Sequence, residues 1–338
     1  MNPADRAIAR IDEAQDPQPL VSVVLASRDG ERFLSAALAS IAAQTWPNIE
    51  LLAVDDGSSD ATGRLLESFA AEHPRTQVFH TSGLGPAAAR SHALERARGS
   101  LVAVHDDDDV SHPERLERQV RHLLDHPETV LLGTAVEIID ERGRRVMPYR
   151  LPLDGAAIRR VLRRAPAFVH GSVMMRREAY LAAGGYRAPF RTTEDYDLYL
   201  RLPGDAGLAN LSETLYSWRR HPGNSTAMAR RDHLYFLAVA RAFGAERHET
   251  GRDSIHLLAR HPDPEAFLAV YPFAGRVLFY LGEAYVRDGR VGEARRFLRR
   301  AMHDAGVRAA ALGWWALSFG VALTPRARAV RRPAETTR

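Results

Sequence analysis

Leu101-Val102-Ala103-Val104-His105-Asp106-Asp107-Asp108-Asp109 is an apolar run that ends in four consecutive carboxylates, with Pro113 just beyond. Four adjacent carboxylates repel one another and cannot enter a core unpaired. At the C-terminal mouth of a buried strand they suit a divalent cation, since Mg2+ and Mn2+ take carboxylate oxygens together with the oxygens of a substrate phosphate. Alternate side chains of a strand share a face, so Asp106 and Asp108 are expected to point together. The competing account is an acidic turn that caps the next helix, and what lies upstream decides against it.

Working back from that stretch, residues 21–25 (Val-Ser-Val-Val-Leu) read as a strand buried on both faces. Ser27-Arg28-Asp29-Gly30 breaks it, and residues 31–44 carry Phe33, Leu34, Ala37, Leu38 and Ile41 at helical spacing. A second strand, residues 50–54, ends in Asp55-Asp56-Gly57-Ser58-Ser59-Asp60, where Asp60 or Ser59 can cap a helix over 61–72. A third strand near Val78-Phe79 leads through Gly83-Leu84-Gly85-Pro86 to a helix over 87–98. Strands alternating with helices of this length predict an α/β domain with a doubly wound, mostly parallel sheet and helices on both faces. Ligands of such sheets sit outside the carboxyl ends of the strands. Ser27-Arg28-Asp29, Asp55-Asp56 and the aspartate run all lie at those ends, so three strands are expected to supply one site.

Composition narrows the chemistry. The 338 residues are 45% hydrophobic and 26% charged, ordinary for a globular chain, and none is cysteine, which excludes disulfides and thiolate metal sites. All basic residues are arginine, so no lysine-bearing phosphate loop exists, and Gly83-Leu84-Gly85 lacks the third glycine of a dinucleotide fingerprint. The first 19 residues lack the apolar core of a signal peptide, and no apolar stretch is long enough to span a membrane. The expected location is cytoplasmic.

The ordered pieces resemble the family 2 glycosyltransferases, which have the GT-A fold. Those that carry the resemblance are residues 21–29, Ser40 to Pro47, Glu50 to Asp60, Gly85-Pro86-Ala87-Ala88-Ala89-Arg90, residues 106–113, Gly171 to Arg177, Gly184-Gly185-Tyr186, and Thr193-Glu194-Asp195-Tyr196-Asp197-Leu198. The resemblance covers about residues 19–226. It implies inverting transfer of a sugar from a nucleotide diphosphate donor to an acceptor hydroxyl, dependent on Mn2+ or Mg2+, with UDP as the expected nucleotide and bacterial surface polysaccharide or glycoconjugate synthesis as the setting.

The resemblance also implies roles. Asp56 reads the nucleotide base, with Ala26 and Arg28 beside it at positions where many relatives carry other residues. Arg90 reaches the base or the diphosphate. Asp106 contacts the ribose side and, with Asp108, the metal; Asp107 is a less certain member of the donor site, and Asp109 a candidate cap for the helix after Pro113. Asp195 is the base that takes the acceptor proton, Glu194 its neighbour and second candidate, and Asp197 a structural residue. His170 borders the donor-sugar or acceptor pocket. His221, in Trp218-Arg219-Arg220-His221, completes the metal sphere or touches the diphosphate. Residues 147–191 are loop-rich and hold the pocket that selects the sugar.

The expected organisation is a flexible segment 1–18, a catalytic domain 19–228, a helical region 229–325 and a basic tail 326–338. Leu278, Leu281, Gly282, Tyr285, Gly289, Ala294, Leu298 and Ala301 match one tetratricopeptide-type helical hairpin. The apolar segment 309–323, with Trp314 and Trp315, precedes five arginines and one glutamate, a pattern suited to peripheral contact with an anionic membrane face. Expected partners are a nucleotide-sugar donor and a sugar, lipid-linked or protein-linked acceptor, and not nucleic acid. Two other readings stay open at this point: a nucleotidyltransferase, and a degenerate transferase domain that serves as a scaffold through its helices.

Overall fold

A computed structural model describes residues 16–204, 206–224 and 230–321. The chain divides into two compact units, residues 1–228 and 229–338. The basic tail and the first fifteen residues lie outside the described part.

In the first unit β1 (Val21–Ser27), β2 (Ile49–Asp55), β3 (Thr76–His80) and β4 (Leu101–Asp106) form a parallel run in the order β3-β2-β1-β4. Continuous burial of the β-branched and leucine side chains of β1, β2 and β4 on both faces is what holds them at the centre of the sheet. The helix α1 (Glu31–Ala42) buries Leu34, Ala37, Leu38 and Ile41 against Val23, Leu25 and Ala103 of the sheet. The stripe those residues form is the one their spacing predicts. The next helices are α2 (Thr62–Glu72), α3 (Pro86–Leu94) and α4 (Arg115–Asp125). Asp60 Oδ1 accepts from the Thr62 amide at 2.9 Å, at the start of α2.

Beyond β4 the sheet becomes mixed. The short strand β5 (Val110–Ser111) is followed by β6 (Leu131–Ile139), β7 (Arg145–Tyr149), β8 (Met174–Arg176) and β9 (Leu208–Arg219), in the order β4-β8-β6-β9-β5 with β7 on β6. β8 runs antiparallel to both β4 and β6, whereas β6 and β9 are parallel. Between β7 and β9 lie α5 (Gly155–Leu162), α6 (Arg177–Ala182) and α7 (Glu194–Tyr199). The segment 147–191, read as loop-rich from sequence, therefore contains a central strand and two short helices, α5 and α6.

The second unit is helical: α8 (Arg230–Thr250), α9 (Ile255–Arg260), α10 (Pro264–Val270), α11 (Ala274–Arg287), α12 (Val291–Ala301) and α13 (Arg308–Val321). α11 and α12 form the predicted hairpin, with Tyr285 stacked on Phe297 at 5.3 Å between centroids. Gly282 lets the two helices touch, since a Cβ there would lie 2.6 Å from Leu298 Cγ. No helix among the described residues is long and apolar enough to cross a membrane.

Candidate active site at the strand ends

The parallel register puts Ser27 beside Asp55 and Ala26 beside Asp106, so the carboxyl ends of β1, β2 and β4 converge. Hydrogen bonds tie the first two loops together. Asp29, in the left-handed region at φ 52°, accepts from the Ser59 amide at 2.7 Å, and the Glu31 side chain accepts from the Ala61 amide at 2.8 Å. Asp56 is buried and accepts from the Leu84 amide at 2.7 Å, the Gly85 amide at 2.8 Å and the Thr81 hydroxyl at 2.6 Å. Its carboxylate thus fastens the glycine turn, and about one of its four acceptor positions is left over. The Arg28 guanidinium lies against Gly83 in that turn, close enough that a Cβ there would sit 3.2 Å from Nη1.

The four aspartates do four different things. Asp106 Oδ1 accepts from Arg90 at 2.9 Å, while the Asp106 amide donates to the Tyr216 hydroxyl at 3.2 Å. Burial works against its charge, but the Arg90 cation prevails and holds the Asp106 carboxyl below the usual range. Asp107 accepts from the Ser27 hydroxyl; burial and then the Asp108 charge push it up to about 7. Gly30 is needed here, because a Cβ would fall on both Ser27 Oγ and Asp107 Oδ2. Asp108 Oδ2 accepts from Asn224 at 2.8 Å and meets His221 Nε2 at 3.0 Å; burial and Asp106 raise its carboxyl. Asp109 does not cap α4, whose N-cap is Glu114. It is buried and accepts from the Arg219 amide at 2.7 Å, which joins the acidic turn to the end of β9.

Arg90 links this turn to a more distant element. Its Nη2 reaches Asp106 and its Nη1 reaches Glu194 at 2.7 Å, both within a buried environment. Glu194 opens α7, and Asp195 follows it, half-buried, pushed up to about 7 by burial and by the Glu194 charge. Thr193, immediately before, adopts φ 61°, a left-handed conformation unusual for a β-branched residue. Asp197 is fully buried between Arg187 and Arg201, at 2.8 and 3.1 Å, and anchors α7 to the preceding loop. His170, on the 3-10 turn His170–Ser172, meets the Tyr186 hydroxyl at 2.8 Å and is pushed down to about 3 by burial and by Arg90.

Two residues of this site have no role that the sequence reading assigned. Arg115 is almost fully buried and donates to Val104 O at 2.8 Å, Ser111 Oγ at 2.9 Å and Gln119 Oε1 at 3.2 Å. Burial lowers it to about 10, against the opposing field of Tyr216, Asp106 and Asp109. Its spacing with Gln119 and Leu123, on the buried stripe of α4, is the signal that finds it. Arg219 donates through Nε to Asp108 O at 2.7 Å and lies over the Phe33 ring at 4.8 Å.

The donor set suits a hard cation. Asp106 and Asp108 each keep one carboxylate oxygen without a hydrogen-bond partner among the described residues. Among those residues no group of three or more His, Asp or Glu side chains is placed to hold a metal ion by itself. Two carboxylates with open coordination are what a Mg2+ or Mn2+ ion shared with substrate phosphates requires. His221 orients Asp108 in this geometry, and joins a metal sphere only by giving up that contact.

Comparison with known proteins agrees with this architecture. Residues 22–184 match the model of glycosyl transferase family 2. The chain is 37% identical over 228 residues to the putative glycosyltransferase EpsE of Bacillus subtilis, covering 65% of this chain and 78% of the relative. It is 33% identical over 201 residues to the amylovoran biosynthesis glycosyltransferase AmsE of Erwinia amylovora, covering 59% and 75%. Among solved structures, S. aureus TarS 1-349 in complex with UDP aligns with a TM-score of 0.54 at 16% identity, over 89% of this chain and 88% of that one. The mannosyltransferase PcManGT from Pyrobaculum calidifontis, in complex with GDP-Man and Mn2+, aligns with a TM-score of 0.55 at 20% identity, over 97% and 88%. The chain belongs to glycosyltransferase family 2, and its catalytic unit has the GT-A fold. It is an enzyme of glycosyl transfer, which sets aside the nucleotidyltransferase and scaffold readings.

Proposed function

We propose that this enzyme is metal-dependent and inverting, and moves a sugar from a UDP-linked donor to an acceptor hydroxyl during synthesis of a bacterial surface polysaccharide or glycoconjugate. The observation that carries the reading is the Arg90 bridge, which ties Asp106 on the acidic turn to Glu194 beside Asp195. In this reading a diphosphate at the turn and a base at the head of α7 act on one sugar from opposite sides. AmsE, a relative named for amylovoran biosynthesis, supports the polysaccharide setting. The UDP complex of TarS and the Mn2+ complex of PcManGT support a nucleotide donor and a divalent ion.

Asp106 and Asp108 are the residues that would hold Mn2+ or Mg2+, with His221 and Asn224 orienting Asp108. When bound, the ion offsets the charge that grows on the leaving diphosphate. Asp56 uses its remaining acceptor position for an imide N–H of uracil, and Arg28 covers the base from the glycine turn. Ala26 lines the floor below. Asp107, held by Ser27, faces the nucleotide from the same turn. Asp195 takes the proton of the acceptor hydroxyl as that oxygen bonds to the anomeric carbon and the bond to the diphosphate oxygen breaks. Glu194 positions Asp195 through Arg90, and His170 borders the sugar. The apolar helix α13 and the arginines after it provide a peripheral membrane contact.

A thermal-shift screen of UDP-, GDP- and dTDP-sugars with Mn2+ tests the donor reading. UDP-sugars should raise the melting temperature most, and Asp108→Asn should remove the part of the rise that depends on Mn2+. Equal shifts for UDP and GDP, or an unchanged Mn2+ effect in the variant, would contradict it.

A further inference from the structure

Among the described residues, four of the nine exposed large hydrophobics, Val146, Met147, Tyr149 and Leu153, fall in one short stretch formed by β7 and its continuation. All five residues of β7 are exposed, and the strand pairs with β6 alone. A solvent-exposed edge strand with aliphatic side chains invites association, and proteins ordinarily blunt such edges with charge. The acidic side chains of the hairpin, Glu137, Asp140 and Glu141, are each paired with an arginine, Glu141 with Arg32. Arg144 pairs with Asp140 and Arg145 with Glu137, but Arg142, Arg150 and Arg220 have no carboxylate within ion-pair distance among the described residues. Beside them, half-buried Trp218 meets Tyr149 at 5.7 Å, and Arg220 lies over the Trp218 ring at 4.7 Å.

The hairpin is rooted in the active site. Arg219 donates to Asp140 O at 3.1 Å and Glu141 O at 3.3 Å at its turn, and to Asp108 O at 2.7 Å in the acidic turn. Aliphatic side chains along an exposed edge strand, a Tyr–Trp pair beside them and unpaired arginines around both suit an anionic bilayer surface. The aliphatics enter the acyl boundary, the aromatic rings sit at headgroup depth and the guanidinium groups meet phosphates. We propose that the hairpin of β6 and β7 is a docking element for an anionic lipid surface. If the proposed function holds, docking brings the acidic turn to lipid-borne acceptors.

Co-sedimentation of the full chain with vesicles of phosphatidylcholine, with and without phosphatidylglycerol, tests this. Binding should require phosphatidylglycerol and weaken with salt. Val146→Asp with Met147→Asp, and separately Arg142→Gln with Arg150→Gln, should each lower the partition coefficient about tenfold. Melting curves that match the parent show that the variants are folded. Absence of binding to phosphatidylglycerol vesicles, or variants that bind like the parent, would overturn the proposal; the latter leaves any contact to the C-terminal segment. A dimer lost in the aspartate variant, without vesicle binding, would instead make the hairpin a contact between copies. UDP binding, measured on the same samples, is a separate readout: its failure counts against the donor reading and leaves the hairpin result standing.

Discussion

Arg90 donates to Asp106 and to Glu194, two carboxylates that neither neighbour in sequence nor share an element. Removing one partner of a buried pair leaves an uncompensated charge, at a cost of about 3–5 kcal/mol. Arg90→Met should therefore lower the unfolding free energy by that much, read from a denaturant titration, and abolish transfer. Arg90→Lys keeps a charge but not the fork that reaches both partners, so it should keep more stability than activity. Asp195 makes a second prediction. Burial and Glu194 push it up to about 7, and a base works only when ionised, so kcat/KM should rise with pH through an apparent pKa near 7 that belongs to the Glu194–Asp195 pair. The stability effect has the opposite sign. Folded Asp195 keeps its proton to higher pH than an unfolded carboxyl near 3.9, so its contribution is complete below about pH 4 and fades as pH rises towards 7. In Asp195→Asn the acid limb should vanish with the rate down by roughly 10²–10⁴-fold. A pH–rate profile of both proteins checks this.

At the scale of elements, Gly282 is where propensity and packing disagree. Gly282→Ala would gain about 1 kcal/mol from helix propensity alone. The new Cβ would lie 2.6 Å from Leu298 Cγ, and overpacking costs about 1–3 kcal/mol, so the net change should be destabilising by thermal melt. The hairpin itself was legible because its signal is local: Leu278, Leu281 and Tyr285 on one helix, Ala294 and Leu298 on the next. The same holds for β1, β2 and β4, whose apolar runs announce buried strands, and for the aspartates at their ends. The mixed half of the sheet was not legible. β6 finds its partners β8 and β9 far along the chain, and no short-range pattern specifies such pairing. The site divides likewise. Asp56, Asp106 and Asp195 were recognisable in their motifs, whereas Arg115 reads as one more arginine of a charged helix, and only its buried stripe with Gln119 gives it away. Asp109, read as a possible cap, binds the Arg219 amide because β9 returns to the acidic turn, a contact made across the whole domain.

Over the whole molecule, the catalytic unit joins loops from three parallel strands to a helix from its mixed half, and a shared cation would tie substrate to that frame. Mn2+ with UDP at a hundredfold excess over its Kd should stabilise the fold by about 2.7 kcal/mol, and EDTA should remove the metal-dependent part of that gain in calorimetry. The central claim is that Asp195 and the acidic turn act on one sugar from opposite sides, which forces a single displacement. Proton NMR of the first sugar product, released from an α-linked UDP donor chosen by the thermal-shift screen, tests it most directly. The account predicts the β anomer first, with Asp195→Asn nearly silent under the same conditions. An α product, or a variant that turns over like the parent, would contradict it.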